Sequence, residues 1–285
     1  MSRESSIASI VAYKAVRAKH NLVFSDAVLR QIFEKWDSLE ETETSRWAVL
    51  RNAFSIPNST REQYFELKPE IEAAIKTELF QGKQMENLIS ASTTLLSDSL
   101  PDLVTFNSSI VDQMQWERVS DVELTDGTSE AECNFFALIN EFCCNAILPP
   151  IMGSQFTESN QVLATDLATF NQRYWPLAIG LPRLSPIQGL PGAALAQKRL
   201  LHKLAEMFKE LTNPPAKRVL DDDESVSGGE ETDADIATPL ANLNELFTKH
   251  DLPMSARAAL ALELIHSIVA AVSYTHLTLP TILRV

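Results

Sequence analysis

The strongest constraint in this chain is the stretch from Ala256 to Val272, AALALELIHSIVAAV within it, which is apolar on nearly every side. A helix with one apolar stripe can lie on a surface, but one that is apolar all round has to be enclosed. The chain must therefore supply several other helices to surround it, beginning with a cap at Ser255. The spacing supplies them. Val162, Leu163, Leu167, Phe170 and Tyr174 repeat at helical intervals, as do Leu201, Leu204, Phe208 and Leu211. A third face carries Phe135, Leu138, Ile139, Phe142 and Ala146, in a helix read over 132–148 and stopped by Pro149, Pro150 and Gly153.

Earlier in the chain, Ser25 and Asp26 open a helix bearing Val28, Leu29, Ile32, Phe33 and Trp36. Pro69 fits the first turn of another, lined by Ile71, Ile75 and Leu79, where its missing N–H costs nothing. Gly82 interrupts before Met85, Leu88, Ile89, Leu95, Leu96 and Leu100 continue to Pro101. Between Leu103 and Gly127 the pattern fits a helix, with Ile110, Met114 and Trp116 inward, or partly extended chain. With only 8 glycines in 285 residues, a many-turned β fold is disfavoured and a mainly α class is expected.

The charge is local. Eight of the acidic residues lie between Val219 and Leu240 with no basic residue among them, so a net −14 becomes −14 + 8 = −6 elsewhere. The segment 212–240, opening on Pro214 and Pro215, reads as a solvated linker. Ser225 and Ser227 within it suit an acid-directed kinase. An acidic chain with no basic face excludes a nucleic-acid partner. Cys133, Cys143 and Cys144 give no disulfide framework and fit a reducing compartment. The start, MSRESSIASIVAYKAVRAKH, is polar and shows no signal peptide, and no run reaches the ~18 apolar residues of a membrane span.

The order and wording of CNFFALINEFCCNAILPPIMGSQF, LATDLATFNQRYW, PLAIGLPRLSPIQGLPG and AALAQKRLLHKLAEMFKEL resemble the middle of a fungal cytochrome P450, of the branch whose members resemble sterol 7-hydroxylases and prostacyclin synthase. Trp116, Glu117 and Arg118 before an acidic segment add to that resemblance. It implies an α-rich fold, a haem with an axial cysteine thiolate, a P450 reductase as partner, and the endoplasmic reticulum membrane as location. It also implies a monooxygenase acting on an apolar, sterol- or lipid-like substrate. The apolar, proline-stiffened loop 176–192 becomes a lid over the substrate channel that touches the membrane, the alternative being a connector that covers the core. The long apolar helix becomes the one that crosses the haem.

The sequence departs from that family where chemistry is concerned. No cysteine stands in Phe-x-x-Gly-x-x-x-Cys-x-Gly. Glu43 and Arg46 make a Glu-x-x-Arg in the wrong place, and Trp47 and Arg51 a misplaced Trp-x-x-x-Arg. The histidines His20, His202, His250, His266 and His276 are scattered, with His266 expected as a hydrogen-bonded core residue. No catalytic, cofactor-binding or metal-binding residue is assigned. Val272 to Thr281 resembles the translated frame of a sequencing-library adapter, so Ser273 to Val285 reads as a non-native tail. The expectation is a partial P450-like helical domain over 1–272 without the haem-ligand half, cytoplasmic as given and inactive alone. The contrasting expectation is a non-enzymatic helical interaction protein.

Overall fold

The computed structural model describes residues 10–15, 18–23, 25–35, 43–125, 130–213 and 238–282, with side chains placed from residue 23 to residue 270 of these. Twelve α-helices dominate the described residues, and the strands form two small antiparallel pairs. The mainly α class is therefore what the chain adopts. Ser225, Ser227 and Trp36 lie outside the described residues, as do the side chains of His20 and His276.

The long helix α12, Met254–Ile282, sits at the centre. Between Ala256 and Ile265 every side chain but that of Glu263 is buried, as an apolar-all-round sequence requires. The helix begins at Met254, one residue ahead of the expected cap Ser255, and runs on to Ile282 through the Thr-rich stretch where it was expected to end. It also hides one charge. Arg257 is buried because it reaches back to Leu252 O at 2.8 Å and donates from Nη1 to Asn244 Oδ1 and Thr248 Oγ1 at 2.8 and 2.7 Å. The last two acceptors belong to α11, Pro239–Lys249, which is capped by the Thr238 hydroxyl.

Helix α10, Leu190–Thr212, lies against α12 and against α8, Leu163–Gln172. Its inward face is Ala193, Ala196, Leu200, Leu204, Met207 and Phe208, so Leu204 and Phe208 point in as expected, whereas Leu211 is exposed. Leu167 and Phe170 are fully buried on α8, and Val162 just ahead of it faces out. Burying Phe54, Phe170 and Phe208 contributes roughly 1.5–3 kcal/mol each. Asp166 of α8, itself buried, receives the Arg199 guanidinium of α10, with Nε to Oδ2 at 2.9 Å.

Several helix boundaries differ from the sequence reading. Helix α3 is Arg61–Leu79, with Pro69 inside it rather than in its first turn. The lost N–H is tolerated because Tyr64 and Ile71, on either side, are anchored in the core. Helix α4, Gly82–Ser99, starts where Gly82 takes φ +63°. Helix α6, Phe135–Met152, continues through Pro149 and Pro150 and stops only at Gly153, where φ is +98°. Phe135 on α6 is exposed, while Leu138, Phe142 and Ala146 are buried. Helix α1, Asp26–Glu34, buries nothing. Ser25 precedes it without a side-chain cap, and Phe33 is exposed.

The region after Leu103 holds only one short helix, α5, Gln115–Val119, with Ile110 exposed and Trp116 inward. Before all of these, Ile10–Ala15 (β1) pairs antiparallel with Ala18–Val23 (β2), a hairpin that the polar reading of this stretch missed. Ile10, Val11 and Tyr13 favour extended chain. Among the described residues α6 is a helix long and apolar enough to cross a membrane, but half of it is buried in the fold and it carries the buried Glu141.

Candidate functional site

A cavity of about 530 Å³ opens between α3, α11, α12 and the helix before them, α2, Glu43–Ala53. Helices α3, α11 and α12 each give it a stripe, and α2 gives it Arg46. Leu240, Leu243 and Phe247 of α11 sit three and four residues apart, as do Leu260, Leu264 and Ile268 of α12 at intervals of four. Ile71 and Ile75 of α3 and Phe80 beyond it complete an apolar wall. This size and lining are those of a small-molecule pocket.

Its polar end is a three-residue knot. Arg46 Nη1 meets Glu263 Oε1 of α12 at 2.5 Å, and Arg46 Nε donates to the Tyr64 hydroxyl of α3 at 3.0 Å. Arg46 is held there because Trp47, Leu50 and Ala53 pin α2 into the core. Trp47 stacks at a tilt on Tyr64 and Phe65 with ring centres 6.1 Å away. Burial pushes the Tyr64 phenol up, against the opposing pull of Arg46. At the rim, Lys68 and Glu72 lie 3.6 Å apart, so the charges around the mouth cancel.

A second cavity of about 280 Å³ lies where α5, α6 and α8 meet. Glu141 of α6 lines it and accepts from Thr165 Oγ1 at 2.8 Å; burial raises its carboxyl above the usual range. Cys144 lines it too. Its thiol is pushed far up by burial, then by Glu141 and Cys143. Cys143 is raised by burial as well.

A thiolate ligand needs surroundings that favour the anion, and Cys143 and Cys144 sit where the neutral thiol is favoured. Cys133 is packed at the edge of a small separate core of Trp116, Val122, Leu138 and Phe142. No group of three His, Cys, Asp or Glu among the described residues could hold a metal ion.

The other residues singled out from sequence are dispersed. Glu43 is exposed, and Arg46 turns to Glu263 and Tyr64. Trp47 is buried while Arg51 is exposed beside Asn52, so this pair does not face one ligand. His202 and His250 lie beside Glu206 and Glu70. His266 is a core residue: its Nδ1 is 2.6 Å from Asn171 Oδ1, and its ring stacks on Tyr174 at 4.2 Å between Phe54 and Phe170. Burial pushes it down to about 4, so it is neutral near pH 7.

Trp116 and Glu117 are structural. Glu117 is fully buried and accepts from the N–H groups of Thr105 and Met114, both at 2.7 Å, and from the Thr105 hydroxyl. Arg118 faces out. In the loop 176–192, Leu177 and Leu190 are buried, whereas Leu184 is 90% exposed and Trp175 beside the loop 72%. Leu177, Ala178 and Leu190 thus anchor the loop in the core, while Pro182, Leu184, Pro186 and Pro191 face outward.

Sequence reasoning passed over Tyr64 and treated Glu263 only as a charge within the apolar helix. Its one signal was a lone acid inside an otherwise enclosed helix. No family model, curated protein or solved structure matches the chain.

Proposed function

We propose that this chain supplies the substrate-side helices of a haem-thiolate monooxygenase of the cytochrome P450 type, acting on an apolar small molecule. The observation that supports this reading most is the enclosed α12, with α8 and α10 stacked on it in the chain order the resemblance implies. The large apolar cavity bordering the same helix agrees with such a substrate. Because no cysteine here fits the iron, the thiolate has to come from outside residues 1–285. The reductase and the endoplasmic reticulum membrane are the partners this reading assigns, with Trp175 and Leu184 as the residues outward enough to touch lipid.

The test is the transcript downstream of the Val272 codon. A frame continuing into Phe-x-x-Gly-x-x-x-Cys-x-Gly supports the proposal, and a native stop refutes it. The 1–285 chain supplied with haem is expected to show no carbonyl spectrum of the thiolate type.

One observation favours a second reading, a helical binding protein without oxidase chemistry. Residues Ala256 to Ile265 are covered by the chain's own elements, Glu263 excepted, so this part of α12 already has its core. A monodisperse 1–285 chain in sedimentation velocity favours this reading over the first.

A further inference from the structure

We propose that the cavity between α2, α3, α11 and α12 binds a neutral apolar alcohol, with the hydroxyl at the Arg46–Glu263 pair and the hydrocarbon along the α11–α12 wall. This needs only described residues and does not depend on the oxidase reading. Three properties of the cavity carry it. First, its volume of about 530 Å³ and its lining by side chains such as Leu243, Phe247 and Leu264 suit a hydrocarbon body. Second, besides the self-paired Lys68 and Glu72, its lining holds the Arg46–Glu263 pair, whose N–H donor and carboxylate acceptor lie 2.5 Å apart. Third, that pair is charge-balanced.

The balance selects the ligand class. A hydroxyl both donates and accepts, so it joins the pair by giving its proton to Glu263 and taking an N–H from Arg46. A carboxylate gains Arg46 but lies against Glu263, and an ammonium gains Glu263 but lies against Arg46. Both suffer a like-charge contact in a half-buried setting. A plain hydrocarbon gains neither bond.

The experiment is calorimetric titration of the 1–285 chain with three probes of equal length, 1-decanol, decanoate and decane. Decanol is expected to bind at least about ten-fold tighter than either of the others, the value of one hydrogen bond to a charged group. In Glu263→Gln the Arg46 charge is no longer balanced, and the preference is expected to reverse toward decanoate, with circular dichroism confirming the helical fold. Decane binding as tightly as decanol overturns the role of the pair, and decanoate binding the native chain as well as decanol overturns the ligand class. No uptake of any probe overturns the site itself. The three-probe comparison on the native chain stands even if the variant fails to fold.

Discussion

Replacing Glu117 by alanine removes a carboxylate that three donors share. In the fold it accepts the Thr105 and Met114 N–H groups at 2.7 Å each and the Thr105 hydroxyl at 2.9 Å. Glu117 is fully buried, so its loss leaves two backbone donors and a hydroxyl facing an apolar gap. Each unpaired buried donor costs about 1–3 kcal/mol. With some of that recovered by entering water, the loss comes to about 3–6 kcal/mol. Against a typical total of about 5–15 kcal/mol, that is a large fraction. Urea denaturation followed by tryptophan fluorescence measures it, because Trp116 stands next to the lost group and packs edge-on against Phe142. Glu117→Gln, which keeps one carbonyl acceptor, is expected to lose about half as much, and Arg118→Ala, on an outward side chain, to stay within about 0.5 kcal/mol. A Glu117→Ala midpoint indistinguishable from that of Arg118→Ala would refute the reasoning and leave the Trp-Glu-Arg triplet without a structural purpose.

Two buried titrating groups push stability in opposite directions. The His266 imidazole is held down to about 4 from 6.5, so between those values the unfolded chain carries the extra proton and stability falls as pH falls. The loss amounts to about 3 kcal/mol once pH 4 is passed, and His266→Gln is expected to flatten the denaturation midpoint across that window. The Glu141 carboxyl is raised above 4.5 by burial, so the unfolded chain ionises first and stability falls as pH rises beyond that value. Glu141→Gln is expected to remove this fall, and an unchanged midpoint above pH 4.5 would count against it. In the apolar loop, Leu190→Asp is expected to prevent folding because Leu190 is fully enclosed, while Leu184→Asp leaves the midpoint within about 0.5 kcal/mol of the native chain. Liposome flotation of Leu184→Asp and Trp175→Ala then reads membrane contact without confounding it with collapse.

The helices that were legible are those whose apolar spacing is a direct imprint of burial: α8, α10 and the enclosed α12. Local rules failed where tertiary packing overrode them. Pro69, Pro149 and Pro150 stay inside helices because neighbours such as Tyr64, Ile71, Leu148 and Ile151 are buried on either side of them. The hairpin of Ile10–Val23 was hidden by charged residues interleaved with its β-formers. The polar knots were illegible for a different reason. Asp166 with Arg199, and the Arg46–Glu263–Tyr64 group, each join residues far apart in sequence, and nothing local in the chain announces the partner. The cavity shared that fate, since the stripes of α3, α11 and α12 become one wall only after the helices are assembled.

The loop after α8 has a consequence in time rather than in shape. Its middle and its far end are tied down: Arg183 Nη2 reaches Gln197 Oε1 at 3.0 Å and Ser55 Oγ at 3.2 Å, and Arg173 Nε donates to Gln188 O at 2.7 Å. Lifting it breaks all three bonds, at about 1 kcal/mol net each. An opened molecule is then rarer than about one in a hundred at equilibrium.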